Sequence, residues 1–87
     1  EKQMKRLTSH RINTAIKEVT GVDAKVFLEP NVSAHFYSDD ERTSEILSRT
    51  DTGVMVARYS HLTLEQWVDS FKLIWNNAQN VLKGESE

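Results

Sequence analysis

Leu64, Trp67, Val68, Phe71, Ile74, Trp75, Ala78, Val81 and Leu82 recur every three or four residues through "LTLEQWVDSFKLIWNNAQNVLKG", residues 62–84. Placed at about 100° per residue, they fill one apolar stripe roughly 140° wide. That width predicts a helix lying on a sheet rather than a two-position coiled-coil seam, and it assigns most of the stripe to the domain's own core. Thr63 is the expected N-cap, and Gly84, following Lys83, the expected stop. Leu73 alone falls on the far side. The indoles of Trp67 and Trp75 each call for a polar partner at the stripe's edge.

A second helical period runs through residues 3–20. Met4, Leu7, Ile12, Ala15, Ile16 and Val19 share one half of the wheel, with Lys2, Arg6, His10, Asn13 and Lys17 on the other. Gly21 stands where a left-handed C-cap is wanted. Val26, Phe27, Leu28, Phe36 and Tyr37 are strand formers. Between them, Glu29-Pro30-Asn31-Val32 offers a tight turn with proline preset at its second position. The expectation is an antiparallel hairpin, or two strands joined by a short loop.

Residues 38–50 leave two readings open. Ser38 and Glu41 have capping-box spacing, and acidic residues suit a helix start. Ile46 and Leu47 are the only apolar residues there, however, so a loop or hairpin through 39–50 stands beside the helix. Asp51-Thr52-Gly53 reads as a turn and "VMVARYS", residues 54–60, as a third strand.

This order predicts an α+β domain: a small, mainly antiparallel sheet of about three strands packed against a long C-terminal helix and an N-terminal helix. Residues 1–87 form one domain. A sheet covered on one side leaves its other face to water, to a second sheet or to a partner, and its edges also need cover. The start at Glu1 and the polar ends "EKQMK" and "KGESE" read as those of a piece of a larger protein, its first helix (1–20) leading to a missing upstream domain.

Composition narrows the chemistry. A chain of 87 residues is near the lower limit for folding without staples. Without cysteine it makes no disulfide, thiolate metal site or thiol nucleophile, in keeping with a reducing, cytoplasmic location. No apolar run spans a membrane and no segment resembles a signal peptide. The net charge of −2 offers no bulk field for nucleic acid. Charge is uneven all the same: five basic residues face two acidic ones in 1–20, and five acidic face two basic in 39–51.

No catalytic or metal motif emerges, and no cofactor is expected. His10, His35 and His61 lack ligand spacing. Asp39-Asp40-Glu41 lacks the spaced oxygens and central glycine of a calcium loop. No serine sits in a nucleophile elbow, and Gly21, Gly53 and Gly84 form no phosphate loop. "NVS" at 31–33 is a glycosylation sequon in a chain with no secretory signal. The basic face of the first helix (Lys2, Arg6, His10, Lys17) has no interleaved aromatic residue, so direct nucleic-acid binding is not expected. Met4, Leu7, Ile12 and Leu73 are expected interface positions for a second copy or another protein chain.

Arg58, Tyr59 and His61 cluster where the third strand meets the last helix, with His35 and Tyr37 on the neighbouring strand. Strand ends beside a helix start leave N–H groups unpaired. These five residues are the expected site for a small-molecule effector; the alternative is that they only cover apolar surface.

Two segments carry a resemblance. "INTAIKEVTGVDAKVFLEP" resembles the helix–turn–strand of phospholipase-D-like folds. "TGVMVARYS…SFKLIWNNA" is similar to the closing strand and Phe-x-x-x-Trp helix of the regulatory domain in TrmB-like transcription regulators. The matching residues are Gly21, Val22, Phe71, Trp75 and Ala78, within segments covering about half of the chain. The phospholipase-D pattern needs a lysine two residues after its histidine, whereas His35 is followed by Phe36 and Tyr37. The resemblance therefore implies binding or sensing rather than hydrolysis. It also implies that any DNA reader lies outside this segment, and it favours a hairpin over a helix at 39–50. The expected function is a non-enzymatic regulatory, effector-sensing or dimerisation module of a larger, transcription-regulating protein; the alternative is a protein-interaction module that uses a sheet edge or the aromatic C-terminal helix and takes no small-molecule ligand.

Overall fold

A computed structural model describes residues 7–85. The elements are α1 (Ser9–Thr20), β1 (Lys25–Glu29), β2 (Ser33–Tyr37), α2 (Glu41–Leu47), β3 (Gly53–Val54) and α3 (Leu64–Glu85), with a 3-10 turn at Tyr59–His61 before α3. The strands form one antiparallel sheet in the order β1-β2-β3. The α+β class holds, with a three-stranded sheet, an N-terminal helix and a long C-terminal one.

The first helix starts later than its apolar period suggests. Thr8 is extended, and its hydroxyl accepts from the Arg11 N–H (3.3 Å), capping the helix at Ser9. Met4 lies outside the described residues. Gly21 closes the helix in the left-handed region (φ 77°), its N–H donating to the Lys17 carbonyl at 2.8 Å. Asn13, expected on the polar half, instead turns toward the sheet and accepts the Val26 N–H (2.9 Å). Val19, expected inside, is 59% exposed.

The hairpin forms around Pro30-Asn31. The Val32 N–H donates to the Glu29 carbonyl (3.0 Å), and Asn31 takes the positive φ (64°) that a type II turn needs at its third position. Strand register is then Lys25↔Tyr37, Phe27↔His35 and Glu29↔Ser33. Residues 41–47 are a helix, not a hairpin. Its cap is Asp40 rather than Ser38: the Asp40 carboxylate accepts from both the N–H (2.9 Å) and the hydroxyl (2.8 Å) of Thr43. These bonds hold its pKa below the usual carboxylate range. Ser38 is buried instead, donating to the Asp23 carbonyl (2.6 Å) and accepting from the Asp40 N–H (3.0 Å).

The expected third strand through 54–60 is cut to two residues. The Val56 N–H turns back to the Val54 carbonyl (2.9 Å), a three-residue turn that ends the ladder. Helix α3 begins with a reciprocal box: the Gln66 N–H donates to Thr63 Oγ1 (3.1 Å) and the Thr63 N–H to Gln66 Oε1 (2.9 Å). It runs through Gly84, where an end was expected, to Glu85, which Arg49 Nε reaches at 3.0 Å.

The core lies between the sheet and α1 and α3. Ile12 and Ile16 share one cluster with Val26, Ala34 and Phe36, Leu47 from α2, and Trp67, Val68 and Phe71 from α3. Phe36 stands edge-on to Trp67 (6.1 Å) and to Phe71 (5.3 Å). The Trp67 N–H donates to the Tyr59 carbonyl (2.9 Å), the polar partner its indole requires.

Candidate functional site

Strand alternation sends Val26, Ala34 and Phe36 to the core and leaves Lys25, Phe27, Glu29, Ser33, His35 and Tyr37 on the opposite face. Three rings line up there across the register. Phe27 and His35 lie 5.4 Å apart with planes tilted by 49°, and His35 and Tyr37 lie 6.2 Å apart with a tilt of 54°. Phe27 is 50% exposed and Tyr37 39%. Glu29 and His35 are exposed as well, while Ser44 and Ser48 of α2 come close to the Tyr37 end.

Its charges are mostly acidic. Lys25, the one lysine or arginine on the three strands, is bound by Asp39, whose hydrogen bond and charge raise the ammonium pKa. Glu29 follows Phe27 on the same face. Gly53 pairs with His35 across the β2–β3 register. The Gly53 N–H holds the Asp51 carboxylate (2.9 Å) so close that a Cβ on Gly53 would lie 3.2 Å from Asp51 Oδ1.

The five residues expected to form an effector site fall into two groups. His35 and Tyr37 belong to the open face. Arg58, Tyr59 and His61 belong to the turn before α3, and the Tyr59 ring packs on Trp67 (6.0 Å) on the helix side of the sheet. The sheet therefore separates Tyr59 from His35 and Tyr37. The sequence places Phe27 in a strand and Glu29, Asp51 and Gly53 in turns, and none of the four in a site. The pairing of Phe27 with His35 becomes visible only once the turn is fixed at Pro30–Val32.

Ile12, expected at an interface, is fully buried and unavailable to a second copy, because its face of α1 packs into the core. Leu7 is half-buried against that core, while Leu73 is 63% exposed on the far side of α3. Between α1 and α3 runs a groove of about 500 Å³ lined by Val19, Leu64 and Val68, with Glu65, Asp69 and Lys72 at its margin.

Among the described residues, no three histidine or acidic side chains are disposed to hold a metal ion. No helix among them is long and apolar enough to cross a membrane. The chain matches no protein-family model, no curated protein and no solved structure.

Proposed function

We propose that this chain is a non-enzymatic regulatory module that works by binding, with the open face of its sheet as the contact surface for another protein chain. The observation that carries this reading is the row of exposed rings at Phe27, His35 and Tyr37. Contiguous exposed apolar surface costs solvation free energy and marks contact sites more often than scattered single residues do. The face is a better surface than the alternatives. The β1 edge is engaged at Val26 by Asn13, and the indole of Trp67 on α3 is turned inward. The resemblance to regulator sensor domains points the same way.

In-cell crosslinking from a photoreactive residue at position 27, with position 73 as control, tests the reading. Adducts to a protein at 27 and not at 73 support it; equal capture at both positions, or none at 27, removes it. A second reading, effector sensing, is favoured by the α1/α3 groove, where a bound apolar molecule would bias the packing of the two helices. A compound using that groove raises the melting midpoint of the native protein, but not that of a Val19→Arg variant.

A further inference from the structure

The open face carries three exposed, mutually inclined rings. Neighbouring rings are tilted by 49° and 54°, so Phe27, His35 and Tyr37 offer no common plane on which a flat base would stack. Inclined ring faces suit a positive charge, drawn to the negative face of each ring. The carboxylates agree with this. Glu29 shares the face with Phe27, Asp51 lies against Gly53, and the one strand cation, Lys25, is bound by Asp39. A phosphate backbone would meet Glu29 and Asp51 with no free strand lysine or arginine to offset them.

We propose that the partner of this face is an extended basic segment of another protein, whose arginine or lysine side chains lie over the rings of Phe27 and Tyr37 and reach the Glu29 and Asp51 carboxylates. This rests on the open face being the contact surface and adds the chemistry of what occupies it.

An oligoarginine peptide is titrated into the whole chain and followed by amide chemical shifts, with oligoglutamate and oligothymidine as controls. Shifts should centre on residues 27, 35, 37 and 53 and weaken with salt. Removing both rings with Phe27→Ala/Tyr37→Ala should lower affinity by about tenfold, the scale of two exposed cation–π contacts. Glu29→Gln/Asp51→Asn should also weaken binding. The carboxamide oxygen that this variant places beside Gly53 still accepts its N–H, so the fold is kept. Unchanged affinity in the ring variant, a preference for oligothymidine, or self-association through the same residues overturns the proposal. If oligoarginine fails while position 27 still crosslinks a protein in cells, the cationic partner is refuted and the contact surface stands; failure of both removes both.

Discussion

Replacing Trp67 with phenylalanine probes the join between the turn at Tyr59–His61 and the core. The indole is fully buried, edge-on to Phe36 and within 6.0 Å of Tyr59, and its N–H donates to the Tyr59 carbonyl at 2.9 Å. Phenylalanine keeps one ring but deletes that donor, and a buried acceptor that loses its partner costs about 1–3 kcal/mol. The smaller ring also leaves a void, at about 24 cal/mol per Å³ of cavity that does not collapse. The Leu62 N–H, at 3.4 Å from the same carbonyl, offsets part of the loss. The expected total is about 2–3 kcal/mol, against a whole-domain stability of about 4–13 kcal/mol for a chain of this length.

Trp75 is the internal control. It is half-buried and stacked on Phe71 (5.9 Å, 20°), so Trp75→Phe should cost about 1 kcal/mol or less. Urea denaturation followed by far-UV circular dichroism reads both variants without depending on the fluorophore removed. The thermal midpoint should fall by roughly 10–20 °C for Trp67→Phe. Equal costs for the two tryptophans would refute the assignment of Trp67 as the polar and apolar anchor of that turn.

Ile12→Ala should lose about 2–5 kcal/mol without altering any association, and Leu73→Ala should stay within about 0.5 kcal/mol, both by urea melts. Gly21→Ala forces a side chain into the left-handed region and should cost about 1–2 kcal/mol, although nothing crowds the site. Asp40 binds its proton less readily in the folded than in the unfolded chain. Its contribution is therefore complete above the ordinary carboxylate range and lost as pH falls below about 4. Asp40→Asn keeps a capping oxygen and should flatten that part of the pH–stability curve; an unchanged acid slope would rule the cap out as its source.

Much of the fold was legible because it rests on local rules. Gly21 closes α1, Pro30-Asn31 turns the hairpin, Thr63 caps α3, and Trp67, Phe71, Ile74 and Ala78 form the buried stripe. What escaped depends on partners distant in sequence. Asn13 faces inward because Val26 needs an acceptor, and α3 continues through Gly84 to Glu85, where Arg49 meets it. Asp40 outcompetes Ser38 as a cap because Ser38 is drawn to the Asp23 carbonyl. The third strand stops at Val54 because a local turn satisfies Val56, which strand propensity alone does not register. The effector residues were grouped by nearness in sequence, and the sheet's two faces part them.

The bond from the Val26 N–H to Asn13 lets a helix side chain stand in for a fourth strand. An unprotected β1 margin would template the stacking of further chains into fibrils. An Asn13→Ala variant should therefore associate through the freed β1 edge in a concentration-dependent way, alongside the roughly 1–3 kcal/mol cost of a Val26 N–H left without its acceptor.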